Sequence, residues 1–484
     1  MPKRFEFEDY DPLFRTPGNR GGEAIVEEPW PVRSGSPEPE VPFQNDSPFG
    51  NQSKPPKTKS LIKPESTVRL ILKRGHVISY AGLFLFTIVL YFRPYELFTA
   101  LSWMDKVAYW LAIATIIIFL PSQLVLEGNL TARPRVVILV LLLTLAGLIS
   151  MITAINPLEA WNEFNDVFIK AVLMFIVMIN VVRTELRLKA LLYVALAVTF
   201  VLSFNAIRDY QTANFAVEGY RIKGLLGGMF GNPNDLALHF VTMTPIAVTM
   251  ALVTRSFILK VLLFITAILI VAGNVVTYSR GGFLGLLVVA VVLGWKIGRK
   301  RRLLLAIVGP VILGVFILLM PGGYGIRLLS IFIPGLDPVG SSGSRQEILN
   351  RSILVSLRNP LSGIGMGNFH TVSLHETVTH NAFTQVSAEL GFGALIVYLM
   401  FLTAPILWLR KVERETSGAP KESMYYYLSI GLQASLIGYM VSAFFAAVAY
   451  QWYAYYLVAY GVCLVRLYQN KMTSDVTAVA SAHA

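Results

Sequence analysis

Residues 257–298 read FILKVLLFITAILIVAGNVVTYSRGGFLGLLVVAVVLGWKIG. Two apolar runs, 257–277 and 282–298, flank the short turn Tyr278-Ser279-Arg280-Gly281. At 1.5 Å per residue each run is about as long as a helix needs to cross ~30 Å of hydrocarbon. A link this short joins two antiparallel helices. A lipid-embedded backbone has to satisfy its own hydrogen bonds, so continuous apolar runs of this length are helices. The turn carries an arginine, and a guanidinium near membrane depth is costly unless paired or wetted.

The same pattern recurs along the 484 residues. Twelve candidate spans are expected at about 77–92, 108–126, 136–153, 167–182, 188–205, 236–253, 257–277, 282–298, 303–320, 381–409, 425–446 and 450–468. The fold class is therefore an all-α polytopic membrane protein. Spans 1–9 occupy 77–320, a long loop occupies 321–380, and spans 10–12 occupy 381–470, before a short tail at 471–484. Composition agrees: 55% of residues are hydrophobic and 14% charged, against roughly 25% charge in soluble domains. An ordinary soluble enzyme, a coiled-coil fibre and a disulfide framework are excluded. A nucleic-acid partner is not expected despite the net charge of +12. The one cysteine, Cys463, cannot form an internal disulfide.

Residues 1–64 hold 12 of the 25 prolines and lack apolar periodicity. Such a segment buries too little to offset its chain entropy, and it reads as a disordered tail. Residues 65–76 form a basic segment before the first span, fitting either the positive flank of a signal anchor or contact with anionic headgroups. No cleavable signal peptide precedes that span. With the N-terminus inside, the 29 basic residues beyond 76 divide 18 inside and 11 outside. That Lys/Arg bias predicts both termini in the cytoplasm and the 321–380 loop on the outer face.

The orientation rule leaves outer arginines unexplained. Arg280 is either a structural arginine snorkelling to the interface or a bidentate ligand for phosphate oxygens. Arg345 follows a Gly/Ser run, where Ser344 is expected to cap a helix running to about 358. An arginine at that helix start would oppose the helix dipole, which favours a binding role. Arg351 and Arg358 read as solvated charges. Gly363-Ile364-Gly365-Met366-Gly367 lacks the strand–helix setting of a dinucleotide fingerprint. Its glycines fit a close-packed turn, or backbone N–H groups brought near an anion. His380 at the head of the tenth span is either structural or a general base, its pKa lowered by the helix N-terminus. His370, His375 and His380 are spaced by five residues with few carboxylates nearby, so no metal site is expected. Asn232-Pro233-Asn234-Asp235 is a helix start, with amides that would cap the sixth span or hydrogen-bond a sugar. Glu389, two turns into the tenth span, is the exceptional acid within a span.

Taken in order, these pieces resemble the O-antigen ligase and O-antigen polymerase superfamily. They are Arg221 with Gly-Asn-Pro-Asn-Asp-Leu-Ala at 231–237, Ser-Arg-Gly-Gly at 279–282, Ser344-Arg345, the glycine-rich run 359–369, and His380-Asn381. The ligase-type pattern also matches Gly391 and departs at Ala394, where it has Gly, Thr or Tyr. The resemblance covers most of 77–470. It implies a GT-C-like glycosyltransferase fold in the bacterial inner membrane, serving lipopolysaccharide or other polysaccharide biosynthesis. The implied reaction moves a glycan from an undecaprenyl diphosphate carrier to an acceptor hydroxyl at the periplasmic face, without a metal or other cofactor and with inversion. Carried over by motif, His380 is the base and Arg280 and Arg345 hold the diphosphate. Arg221, Asn232, Asn234, Asn381 and Glu389 are candidate substrate contacts. The acceptor is lipid A-core, a second carrier-linked glycan (a polymerase), or a protein hydroxyl. A secondary transporter is the more distant alternative, expected to show internal repeats that the sequence lacks. Trp103, Trp161, Tyr220, Trp452 and Tyr453 fit either sugar stacking or an interfacial aromatic belt.

Overall fold

The structure is a computed structural model that describes residues 67–482 except 105, 133–134, 216–218, 223, 299–321, 331–332, 334–340, 374–375 and 419–422. The expected tail 1–64, the ninth span at 303–320 and His375 lie outside the described residues. The chain divides into Met1–Leu70 and Ile71–Ala484. The second unit consists of helices joined by turns, with no strand among the described residues.

The long helices in chain order are α1 (Thr67–Phe92), α2 (Val107–Glu127), α3 (Arg135–Ile152), α4 (Pro157–Val181, through a π-helical turn at Phe164–Phe168), α5 (Glu185–Gln211), α6 (Pro233–Val253), α7 (Phe257–Val276) and α8 (Arg280–Ile297). After these come the short α9 (Tyr324–Leu329), α10 (Ser341–Arg358), α11 (Ala382–Leu390), α12 (Phe392–Glu415), α13 (Ser423–Ala443) and α14 (Trp452–Ala482). Local chemistry starts several of them. Asn156, Thr184, Asn232, Ser256, Ser279 and Asn381 each accept a backbone N–H as N-cap, and Pro157 and Pro233 follow two of these caps.

Nine helical segments among the described residues are long and apolar enough to cross a membrane, which makes the chain a multi-pass membrane protein. α13 and α14 are long but fall outside that set. The reason is their place in the bundle. α13 is buried along most of its length, so it needs no lipid-facing hydropathy. Its polar groups bond inward: Ser435 Oγ donates to the Thr242 carbonyl at 2.7 Å, and Gln433 contacts Glu413 and Lys296. Small residues let α6, α8 and α13 approach closely. A Cβ added at Gly285 would lie 2.1 Å from Ser442 Oγ, and one at Gly438 2.6 Å from Val289.

Three expectations are corrected. The tenth span is two helices, broken at Gly391 with φ 90° and ψ 170°. That region of backbone space is nearly closed to residues with a Cβ, and a Cβ there would also sit 2.4 Å from the Leu361 carbonyl oxygen. α10 starts at Ser341 rather than at a Ser344 cap, which places Arg345 in the second turn. The dipole argument for that arginine therefore fails, since the effect fades within one turn. The last helix continues past 468 to Ala482.

Candidate functional site

Nearly all the residues singled out from sequence gather at one end of the bundle. Asn156, Arg221, Asn232, Ser279 and the 444–451 connection are at this end, along with the segments after α10. The turn 277–280 is built first. Tyr278 holds φ 55° and precedes the Ser279 cap. Left-handed backbone in a bulky residue costs on the order of 1–3 kcal/mol, so the surroundings have to impose it. Here Thr277 Oγ1 receives the Ser279 N–H at 3.2 Å, and the Tyr278 ring meets Tyr220 and Tyr324 edge-on.

Arg221 clamps this turn to the head of α6. It is 3% exposed, and its Nε donates to the Thr277 carbonyl at 3.0 Å and its Nη2 to Asn234 Oδ1 at 2.9 Å. Ser279 Oγ donates to the same Asn234 oxygen at 3.1 Å. Asn232 spends its side-chain oxygen on the Asn234 N–H, at 2.8 Å. The capping reading of the Asn-Pro-Asn-Asp run thus describes its geometry, and Asn234 adds a bridge between two spans. Arg280 is 7% exposed, with Nη1 donating to Ser330 Oγ at 2.9 Å. Ser330 Oγ in turn donates to the Arg327 carbonyl at 2.7 Å. Arg327 is 4% exposed and its guanidinium lies over the Tyr220 ring, 5.2 Å from the centroid. Sequence reasoning passed over Arg327, which sits in the long loop with no motif around it. Its only signal was the Tyr-Gly-Ile-Arg turn after Pro321-Gly322-Gly323.

The second half of the site is the head of α11. His380 is half-buried with φ 51°, another strained non-glycine residue just before a cap. Asn381 Oδ1 accepts the Phe383 and Thr384 N–H groups at 2.9 and 3.1 Å, while its buried Nδ2 has no hydrogen-bond partner among the described residues. The His380 pKa is pushed down to about 4, first by burial and then by the Arg345 guanidinium. The direction is the expected one, and burial and Arg345 are its causes. At neutral pH the imidazole is uncharged and can accept a proton. α10, which carries Arg345, packs directly on α11.

The glycine-rich run docks on the end of α11. Gly363, Gly365 and Gly367 all have positive φ, and a Cβ at Gly363 would lie 2.2 Å from the Glu389 backbone carbon. The Ile364 and Gly365 N–H groups donate to the Ala388 and Glu389 carbonyls, both at 3.0 Å. Those of Gly367 and Phe369 donate to the two Glu389 carboxylate oxygens at 3.0 and 3.3 Å. The acceptor these amides bind is therefore the carboxyl group of the protein's own Glu389, 3% exposed, and the close-packed turn is the reading that holds. His370 is tied down as well, Nδ1 to the Gly367 carbonyl at 2.9 Å and Nε2 to Glu159 at 3.2 Å. Arg351 is not merely solvated, because its Nε reaches the Val372 carbonyl at 3.0 Å. Among the described residues no three His, Cys, Asp or Glu side chains converge as metal ligands; the cationic groups here are arginines.

The 444–451 connection joins the two halves. A Cβ at Gly281 would touch Phe445, and the Ser442 hydroxyl donates to the Gly281 carbonyl at 3.3 Å. Ala449 N–H donates to Gln385 Oε1 at 3.3 Å, one turn beyond Asn381. The aromatic candidates divide: Trp103 and Trp161 are 70% and 51% exposed, whereas Trp452 and Tyr453 are packed inside.

Residues 240–399 match the family model described as O-antigen ligase. The match takes in Arg280, Arg345, the glycine-rich run, His380, Asn381 and Glu389, and stops short of Arg221, Asn232 and Asn234. No curated protein matches the chain.

Proposed function

We propose that this O-antigen ligase-like membrane protein transfers a glycan from undecaprenyl diphosphate to an acceptor hydroxyl at the outer face of the bacterial inner membrane. The proposal includes twelve spans in a GT-C-like arrangement and both termini in the cytoplasm. The observation that carries it is a half-buried, uncharged His380 within the field of Arg345, at the bundle end that also holds the Ser330-anchored Arg280. In this reading His380 takes the proton of the acceptor hydroxyl as the oxygen attacks the anomeric carbon. The bond from that carbon to the phosphate oxygen breaks, and undecaprenyl diphosphate leaves with the electron pair. Arg280 and Arg345 stabilise its charge, and the imidazolium returns its proton to water. Base and leaving group lie on opposite faces of the sugar, so the configuration inverts.

Donor binding would also tune the base. Arg345 depresses the His380 pKa, and a diphosphate seated on Arg345 would offset that charge, so imidazole basicity rises with the donor bound. Arg221 and Asn234 serve the turn that presents Arg280, while Asn381 keeps one buried amide donor for a ligand. Lipid A-core is the acceptor proposed first. A second carrier-linked glycan or a protein hydroxyl is the alternative, and Ala394 at the departing pattern position leaves room for the polymerase. The test is complementation of a deletion strain with wild type or His380→Ala, with expression checked. Loss of surface glycan and accumulation of carrier-linked glycan in the variant is expected; a fully active variant overturns the base assignment.

A further inference from the structure

Beside the 444–451 connection lies a cavity of about 520 Å³. That is within the range of sites that enclose a small ligand, ~300–1,000 Å³. Its apolar wall comes from Phe86, Val89 and Leu90 of α1 and Ala112 of α2, and Trp452 and Tyr453 close another side. α2 is among the spans least covered by protein, and Tyr109 at its head is 48% exposed. The cavity therefore lies against the lipid-facing side of the bundle.

Its charges are uneven. Arg93 is paired with Glu96, and Lys170 with Asp166 at 3.8 Å. The Asp235 carboxylate lines the cavity with no hydrogen-bond or ion-pair partner among the described residues; only its backbone carbonyl is engaged, by the Tyr453 hydroxyl at 3.5 Å. A half-buried carboxyl group facing a cavity calls for hydrogen-bond donors. A diphosphate would meet two cations already neutralised and an acidic side chain with no cation paired to it among the described residues, so the cavity does not suit the carrier headgroup. A sugar ring satisfies both features: its hydroxyls donate to the carboxylate and its apolar face lies on aromatic side chains. Ala447 and Gln451 line the cavity, and between them Ala449 is bonded to Gln385 on the helix that begins beside His380. The same connection therefore touches both the cavity and the helix that follows the candidate base.

We propose that this cavity is the saccharide pocket of the membrane-tethered acceptor, with Asp235 as the hydrogen-bond acceptor for its hydroxyls. The assignment to the acceptor rests on the glycan-transfer reading; the sugar chemistry does not. The full-length protein in lipid nanodiscs, carrying Gln451→Cys, is labelled with a maleimide while native Cys463 stays buried. Decyl maltoside, a sugar head on an alkyl chain, is expected to slow labelling at least about fivefold, and decyl phosphocholine less than about twofold. Asp235→Asn should abolish the maltoside effect without changing the unprotected rate. Ala112→Phe, which fills the cavity from another wall, should do the same if Asp235→Asn fails to fold. Equal protection by both headgroups, or maltoside protection that survives Asp235→Asn, overturns the pocket.

In transfer assays with extracted carrier-linked glycan and lipid A-core, Asp235→Asn should raise the acceptor KM about tenfold, the scale of one charge-assisted hydrogen bond, and leave the donor KM unchanged. A donor KM shift instead overturns the acceptor assignment. If the Gln451→Cys protein is protected by the maltoside but neither it nor the wild type transfers glycan, the glycan-transfer reading fails while the sugar pocket stands. If it transfers but is not protected, only the pocket fails.

Discussion

Gly391→Ala tests how the head of α11 is held. Gly391 separates α11 from α12 at φ 90° and ψ 170°, a region that costs a residue with a Cβ on the order of 1–3 kcal/mol. The new methyl would lie 2.4 Å from Leu361 O, 2.6 Å from Leu361 C and 2.9 Å from Pro360 O. All three are backbone atoms, so no rotamer change relieves the overlap, and overpacking adds about 1–3 kcal/mol. The strained contact also adjoins the Phe392 N–H to Pro360 carbonyl bond at 2.9 Å. Together the loss is about 4 kcal/mol, a large share of the ~5–15 kcal/mol that stabilises a folded protein. Gly393 is the internal control: a Cβ there meets nothing within 4 Å, and Ala in a helix is favoured over Gly by about 0.5–1 kcal/mol. Thermal unfolding of purified protein in one detergent, with surface glycan scored in parallel, compares the two. Gly391→Ala should unfold several degrees lower and lose glycan, while Gly393→Ala stays level or rises slightly. Equal behaviour of the two variants would refute the claim that the break at 391 depends on glycine.

His380 sets a pH dependence. Its folded pKa of about 4 lies below the ordinary 6.5, so below pH 6.5 the unfolded chain binds the extra proton and stability falls as pH drops toward 4; His380→Gln should flatten that part of a melting-temperature profile. In Arg345→Gln the His380 pKa should rise yet stay below 6.5, because burial is the larger cause, a shift to be followed by the imidazole NMR signal. Ser330→Ala removes the Arg280 anchor and should raise the donor KM about tenfold, the range of a hydrogen bond to a charged group, with unfolding temperature little changed. Asn234→Ala frees both Arg221 Nη2 and Ser279 Oγ, so it should lower both the unfolding temperature and the donor affinity, where Asn232→Ala at the exposed cap lowers the former by a degree or two at most.

Much of the helical layout was legible in the sequence because hydropathy is local. The runs at 136–153, 188–205 and 257–277 correspond to helices Arg135–Ile152, Glu185–Gln211 and Phe257–Val276, since each has to satisfy its own backbone in lipid. The ordered motifs from Ser279-Arg280 to His380-Asn381 pointed to the family that residues 240–399 match. Partnership is different, because it depends on which distant groups meet. Nothing in the spacing of Gly363, Gly365 and Gly367 tells whether their amides face a substrate anion or Glu389; packing of the loop on α11 decides it. Arg221 read as a ligand candidate because it is an arginine in the right order, and tertiary structure makes it a clamp between Thr277 and Asn234. Arg327 carried no periodic or motif signal, and Asp235 stood out only as part of the Asn-Pro-Asn-Asp helix start, with no hint of a cavity. Arg327 is buried, and Asp235 lines a cavity walled by helices more than a hundred residues apart in sequence. Sequence by itself determined that this chain spans a membrane and which motifs it carries, because those follow from runs of neighbouring residues. Which charges face a ligand and which face each other was decided only by the tertiary packing, because burial and pairing are properties of residues brought together from far along the chain.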